Sequence, residues 1–178
     1  MAYLSRLFQL LSEADLFSKE ISLDRNEFLK VKGNHEDHIY FVKSGSLRIY
    51  IVDEVEEHTI RFGYEGNMIT ALDSFIHGGP TEFFIQALRK TELQAADRAA
   101  YQKFIREDKE ASELWNEMLM QFVLEQMERE KDLLISSPQE RYRRVWERSP
   151  KLFQEIPSKY IASYLRMTPE TLSRIRKS

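Results

Sequence analysis

The stretch "IPSKYIASYLRMTPETLSRIRK", residues 156–177, has the spacing of two short helices joined by a tight turn. Apolar side chains fall where such a pair must bury them: Ile161, Leu165, Met167, Leu172 and Ile175. Ala162 falls where the two helices cross most closely, and only a small side chain fits there. The pattern therefore predicts a packed helical pair whose second helix keeps one face free.

The start of the second helix is marked by three consecutive residues. Thr168 can cap the helix with its side chain, Pro169 loses nothing by lacking an N–H at the first helical position, and Glu170 is favoured by the helix dipole. Arg166 falls in the turn, where glycine is usual. We expect Arg166 to adopt a positive φ at a cost of about 1 kcal/mol.

The free face of the second helix carries Glu170, Thr171, Arg174 and Lys177. This is the helix-turn-helix arrangement, which places its second helix in the major groove of double-stranded DNA. A helical hairpin that binds protein instead of DNA remains an alternative.

The charge distribution agrees with a polyanionic partner. Residues 141–178 contain ten basic and three acidic residues, which leaves 16 basic and 26 acidic residues in the rest of the chain. The 178 residues suffice for two small domains, and the absence of cysteine excludes disulfides, cysteine-ligated zinc and iron–sulfur clusters. Neither a signal peptide nor a membrane span is expected, so we predict a cytoplasmic protein.

The first half of the chain has the period of β-strands. "HIYFVKSGSLRIYIVDE", residues 38–54, predicts two strands joined by a tight turn at Ser44-Gly45. "EFLKV", "EEHTIRFGY", "NMITAL", "EFFIQALR" and "TELQAAD" predict further short strands, and a short amphipathic helix is expected over residues 3–12. Many short strands at nearly regular spacing indicate a small barrel or sandwich.

A long helix is expected after Asp97, because neither glycine nor proline interrupts residues 99–137. Its apolar stripe is wide enough to contact both the barrel and a partner subunit. We expect a homodimer formed through residues 111–127, with exposed Trp115, Met118, Leu119 and Phe122. A break follows, where Ser137 is a candidate N-cap and Pro138 begins another helix.

Barrel, long helix and helix-turn-helix together resemble the cyclic-AMP receptor protein (Crp/Fnr) family of bacterial transcription regulators. The stretch "DHIYFVKSGSLRIY", residues 37–50, and the stretch 156–177 carry the likeness, which covers essentially the whole chain. It implies an α+β fold with an N-terminal β-barrel, a double-stranded β-helix of the cyclic-nucleotide-binding type, over residues 1–110. It further implies a dimerisation helix over 111–136 and a DNA-binding domain over 137–178.

The resemblance also implies roles for single residues. Thr168, Pro169, Glu170 and Arg174 fall where the family reads bases, and Thr171 falls near a phosphate; we add Lys177 as a further DNA contact. Cyclic-nucleotide-binding members use a Glu for the ribose hydroxyl and an Arg-Ser/Thr pair for the phosphate. Here Ala71 falls near the Glu position and Thr81-Glu82 near the pair, so cyclic AMP is not expected to bind in the family's usual mode.

Four histidines leave a second class of protein open. His35 and His38 are three apart, and His58 and His77 lie on other predicted strands or loops, so a metal-binding, cupin-like enzyme is an alternative. The expected function is nevertheless a non-enzymatic, sequence-specific transcription regulator without a metal or cofactor, which binds double-stranded DNA as a homodimer. A small-molecule effector of unknown identity is left open.

Overall fold

The computed structural model of the protein describes residues 2–177. The first helix, α1, covers Ala2–Glu13, close to its predicted position. Eight strands follow it: β1 (Phe17–Leu23), β2 (Phe28–Lys30), β3 (His38–Ser44), β4 (Ser46–Asp53), β5 (Glu56–Tyr64), β6 (Met68–Ile69), β7 (Phe84–Ala87) and β8 (Thr91–Asp97). A short helix, α2 (Leu72–His77), lies between β6 and β7.

The strands form two antiparallel four-stranded sheets, in the orders β1-β8-β3-β6 and β2-β7-β4-β5. Side chains from both sheets fill the space between them, with Leu47, Ile85 and Leu93 almost completely buried. The observed fold is therefore the predicted α+β fold, and its barrel is made of two facing sheets, not one closed ring of strands.

The two strands on either side of Gly45 exist as predicted, but they do not pair with each other. β3 pairs with β6 and β8, whereas β4 pairs with β5 and β7, so Gly45 takes the chain from one sheet to the other. Its φ is +90°, and a Cβ there would lie 2.4 Å from the carbonyl oxygen of Lys90. Only glycine can make this crossing without displacing the backbone.

Strand β4 is buried on both faces along its first half. Leu47 and Ile49 point into the barrel, while Arg48 and Tyr50 point outward and are still only 5% and 3% exposed. The Arg48 guanidinium carbon lies 4.0 Å from the centre of the Tyr50 ring and 4.5 Å from that of the Tyr160 ring, which belongs to the C-terminal helices. The Tyr50 ring stacks on Phe84 of β7.

The helical run after β8 is not continuous, contrary to expectation. Helix α3 covers Arg98–Glu107 and α4 covers Lys109–Leu134, and they are separated at Asp108, whose φ and ψ are −99° and 118°. The Asp108 carboxylate accepts a hydrogen bond from the backbone N–H of Ala111 at 2.7 Å. An aspartate cap can start a new helix where neither glycine nor proline marks the break.

Four short helices complete the described chain: α5 (Pro138–Arg148), α6 (Pro150–Glu155), α7 (Ser158–Tyr164) and α8 (Pro169–Ile175). Ser137 caps α5 and Pro138 begins it, as predicted. The core of this region includes Phe62 and Leu88 of the barrel half, which pack against Val145, Phe153 and Ile161 among others. Within residues 2–177, the helices are all too short or too polar to cross a membrane.

Candidate functional site

The pair α7–α8 has the predicted register. Ile161, Ala162, Leu165 and Leu172 are between 0% and 1% exposed, and they form the contact between the two helices. Met167 is half-buried against the same cluster. The spacing of apolar residues in the sequence was sufficient to place this pair because the contacts are local.

Arg166 occupies the turn with φ +52°, the left-handed conformation expected for it. Its side chain leaves the turn toward the barrel, where Nη1 lies 2.8 Å from Nδ1 of His58. The turn is thus attached to strand β5 as well as to its own helices.

The start of α8 is capped as predicted. The Thr168 side chain accepts a hydrogen bond from the backbone N–H of Thr171 at 3.2 Å, and Pro169 stands at the first helical position. Glu170 follows, and hydrogen bonds from its own backbone N–H and from the Thr168 side chain hold the pKa of its carboxyl below the ordinary value. Glu170 is therefore an anionic hydrogen-bond acceptor at neutral pH.

One shallow concavity on the outer face of α8 brings together most of the predicted DNA contacts. It is lined by Pro169, Glu170, Ser173, Arg174 and Lys177. Thr168 is exposed beside it, whereas Thr171 is half-buried. Ser173 was missed by the sequence analysis; its position three residues after Glu170 could have placed it on the same face.

Most basic side chains of residues 141–177 are occupied by protein groups. Arg143, Arg144 and Arg148 pair with acidic side chains, and Arg141 and Lys151 bind backbone carbonyls. Lys159, Arg166 and Arg176 contact Tyr160, His58 and Ser158 respectively.

Arg174 and Lys177 differ from the other basic residues of this segment. Within the described chain, neither side chain makes a hydrogen bond, an ion pair or a ring contact. Both lie on the outer face of α8. The segment's positive charge that is free to meet a partner is thus concentrated on the helix predicted to contact DNA.

The residues predicted for the effector pocket lie around two acidic side chains. Thr81 donates from Oγ1 to Asp73 at 2.8 Å, and the backbone N–H of Glu82 donates to the same carboxylate at 2.9 Å. The Glu82 carboxylate pairs with Lys32 at 2.6 Å. Ala71 is buried, and its backbone N–H donates to Glu36. Neither Asp73 nor Glu36 was predicted from the sequence to belong to this region.

Glu36 is a buried charge with a full set of partners. It pairs with Lys30 at 3.0 Å and accepts hydrogen bonds from the Tyr40 hydroxyl and from the backbone N–H groups of His38 and Ala71. Burial, and secondarily the Glu36 carboxylate, raise the pKa of Tyr40. A buried carboxylate that is satisfied in this way fixes the local structure, and Lys30 balances its charge.

The four histidines do not converge. His35 contacts the carbonyl of Gly78, His38 contacts Lys19, His58 contacts Arg166, and the ring of His77 accepts from the N–H of Gly79. Among residues 2–177, no group of three or more acidic or histidine side chains has the arrangement of a metal site.

Comparison with known proteins identifies the family to which the chain belongs. The family model described as cyclic nucleotide-binding domain matches residues 20–108, which is half of the chain. A search of curated proteins gives no match.

Many solved structures are similar to this chain. FixK2 from Bradyrhizobium japonicum matches with a TM-score of 0.73 and 19% identity, over 89% of this chain and 82% of its own. The catabolite activator protein of Thermus thermophilus matches with 0.58 and 24%, over 96% and 84%. A protein from Eubacterium rectale that is assigned to the Crp/Fnr family of transcriptional regulators matches with 0.70 and 19%, over 96% and 84%. The chain therefore belongs to the cyclic nucleotide-binding domain family, and its fold is that of the Crp/Fnr regulators.

Proposed function

We propose that this protein is a sequence-specific, DNA-binding transcription regulator that acts as a homodimer, without enzymatic activity. The observation that carries the proposal is the outer face of α8, where the unpartnered Arg174 and Lys177 stand beside the anionic acceptor Glu170. A guanidinium can donate two hydrogen bonds to guanine, and a carboxylate can accept from cytosine. A lysine one turn further along meets the phosphate backbone.

The remaining predicted contacts support the same surface. Thr168 and Pro169 lie at the N-terminal end of α8, the end of a recognition helix that meets the base edges. The backbone N–H of Thr171 is used by the cap, and its half-buried side chain is assigned to a phosphate at the edge of the contact. Together they make a narrow reading surface of about two helical turns.

The homodimer is assigned to the outward face of α4. Met120, Val123, Leu124 and Met127 are between 50% and 69% exposed, although they are apolar. Their spacing of three, one and three residues makes a continuous stripe along the helix, opposite to the face that packs on the barrel and on α1. A second copy of the same stripe is its natural partner, because an antiparallel or parallel helix pair related by a two-fold axis covers both stripes at once.

The barrel is assigned to sensing, with a ligand other than cyclic AMP in the family's usual mode, or with none. Asp73 places a carboxylate beside Thr81, where a cyclic phosphate would need a cation, and the Glu82 carboxylate is already paired with Lys32. The space between the sheets is filled by apolar side chains.

Selection of bound duplexes from a random DNA pool tests the proposal. We expect enrichment of a two-fold symmetric sequence with half-sites about 10 base pairs apart, and an affinity that falls as salt rises. A double variant, Arg174→Ala with Lys177→Ala, is the control and should enrich nothing. If the unaltered protein also enriches no sequence, or if its binding to DNA is insensitive to salt, the proposed function is wrong.

A further inference from the structure

The guanidinium of Arg141, near the start of α5, is bound to four backbone carbonyl oxygens. Its Nη1 donates to Ile135 and Ser136 at 2.6 and 3.4 Å, in the segment between α4 and α5. Its Nε and Nη2 donate to Leu165 and Arg166 at 2.9 and 3.1 Å, in the turn between α7 and α8. A guanidinium has five N–H groups in one plane, so these bonds occupy most of them.

The two segments that Arg141 holds are places where the chain changes direction between α4 and α8. Ile135 and Ser137 have extended backbones, with φ and ψ of −74° and 120° and of −73° and 117°, so no helix continues from α4 into α5. Arg166, with φ +52°, reverses the chain between α7 and α8. Carbonyls at helix ends lack partners within their own helix, and Arg141 supplies donors to both sets.

We propose that Arg141 is a positioning residue that fixes the orientation of α8 relative to α4, and that it thereby sets the half-site spacing which a dimer recognises. The proposal rests on the proposed function, a DNA-binding homodimer formed through α4. In such a dimer, rotation at either segment moves α8 relative to the two-fold axis. Arg129 of α4 also binds the carbonyl of Tyr164 at the end of α7, but it does not reach the turn.

The variant Arg141→Lys separates this role from that of a positive charge. Lysine keeps the charge but is a single ammonium on a flexible stem, so it cannot bind carbonyls on both sides as the planar guanidinium does. Arg143→Lys is the matched control. Arg143 is on the same helix, but its guanidinium binds Glu140 and Glu147 of α5 itself and therefore spans neither segment.

The first test measures DNA binding by the full chain. The duplexes carry the selected operator, versions with the half-sites one or two base pairs closer or further apart, and a single half-site. We expect Arg141→Lys to lose about tenfold or more on the preferred spacing and to bind all spacings alike, with half-site affinity nearly unchanged. Arg143→Lys should keep the preference.

Two results would overturn the proposal. In one, Arg141→Lys keeps the spacing preference of the unaltered protein. In the other, Arg141→Ala weakens operator and half-site by the same factor and lowers the salt slope by about one, which would identify Arg141 as a phosphate contact.

A second test needs no DNA. The chain has no cysteine, so spin labels can be attached after Gln121→Cys on α4 and Ser173→Cys on α8, two exposed positions. The labelled chain is mixed with an excess of unlabelled chain. Most dimers then contain only one labelled protomer, so label distances between protomers are not measured. We expect a narrow distribution of label distances in the unaltered protein, a broader one with Arg141→Lys, and no change with Arg143→Lys.

The two tests distinguish the possible failures. If no DNA sequence is selected, the proposed function fails, while the label distances still decide the role of Arg141. If Arg141→Lys does not fold, Arg141→Gln replaces it, because the shorter side chain has two N–H groups on one nitrogen and cannot bind carbonyls of both segments as the guanidinium does. An unchanged distance distribution in either variant contradicts the proposal.

Discussion

Arg174 shows how one unpartnered side chain can be tested for base reading. In solution it could pair with Glu170, four residues earlier on the same helix, an interaction worth only about 0.2–0.5 kcal/mol. Within the described chain no such ion pair is formed, and both side chains line the same concavity. Arg174 is therefore available to a partner without first breaking a bond to the protein.

The first prediction compares Arg174→Ala with Lys177→Ala on the selected operator. Arg174→Ala should cost about 1–3 kcal/mol per half-site and relax the preference at one base pair, because it removes a bidentate contact with guanine. Lys177→Ala should weaken binding equally on all sequences and flatten the salt dependence. Quantitative binding to the operator and to a scrambled duplex measures both. If Arg174→Ala loses the same affinity on both duplexes, Arg174 contributes only its positive charge and does not read a base.

The second prediction concerns the backbone of Arg166. Arg166→Gly and Arg166→Ala remove the same contact with His58, but only glycine adopts φ +52° without strain. The glycine variant should therefore have the higher free energy of unfolding, by about 1 kcal/mol. Urea denaturation followed by circular dichroism measures the difference. Equal stabilities would mean that the left-handed turn is not maintained in solution.

At the residue scale, the sequence predicted what depends on near neighbours. The cap at Thr168, the positive φ of Arg166 and the buried Leu172 all follow from residues within a few positions. The bonds of Arg141 to the turn could not be predicted, because they join residues 24 and 25 positions apart. The same reason applies to Asp73, whose role depends on the fold of the loop that brings Thr81 to it.

Among the elements, α4 is the one whose exposed face differs from expectation. Trp115 packs against Tyr101 at 5.4 Å between ring centres, and the guanidinium of Arg61 lies 4.1 Å from the centre of the Phe122 ring. Both side chains are half-buried, as are Met118 and Leu119. The predicted exposed set was wrong because a stripe this wide has two sides, and periodicity alone does not say which one the barrel covers.

The third prediction tests the stripe that is exposed. Leu124→Glu places a charge in the middle of the proposed dimer contact, so the protein should sediment as a monomer of 21.2 kDa at micromolar concentration. Gln121→Glu, on the flank of the same helix, is the matched control and should leave the dimer intact. If the unaltered protein also sediments as a monomer, the homodimer in the proposed function is wrong.

The fourth prediction concerns the contact between α4 and α5. The Asp132 side chain is fully buried and binds Arg144 at 2.9 Å and also Arg148, both of which are 27% exposed. Asp132→Asn leaves these cations without their buried partner, so the free energy of unfolding should fall by about 2–4 kcal/mol. Glu147→Gln, which removes an exposed partner of Arg143, should cost less than about 1 kcal/mol. Denaturant unfolding measures both variants. If Asp132→Asn and Glu147→Gln lose similar free energies of unfolding, the importance assigned to Asp132 is contradicted.

The elements that were missed have weak local patterns. β1 is an edge strand with three consecutive exposed positions, residues 18–20, so its alternation is hard to recognise in "FSKEISL". "NMITAL" looks like one strand, but only Met68–Ile69 is extended before α2 begins. Helix α6 begins at Pro150, and its start was not predicted because a proline there is compatible both with the end of α5 and with the start of another helix.

For the molecule as a whole, the fifth prediction is that cyclic AMP does not bind. The carboxylate of Asp73 would repel the cyclic phosphate, and the methyl group of Ala71 cannot accept a hydrogen bond from the ribose. Titration calorimetry should give no binding signal, with adenosine as the control for contacts that do not involve phosphate. A dissociation constant below about 10 µM would show that another cation of the barrel holds the phosphate.

Phe62 and Leu88 belong to the barrel half of the sequence, yet they are packed in the same hydrophobic cluster as Val145, Ile161 and Leu172. The barrel and the C-terminal helices therefore share one core and are not independent modules. If the C-terminal helices were replaced by those of another protein, their apolar side chains would not fit the barrel surface at Phe62 and Leu88 unless that surface changed too. Under the proposed function, a new DNA preference is therefore more readily acquired over evolutionary time by substitution on the outer face of α8 than by exchange of the C-terminal helices.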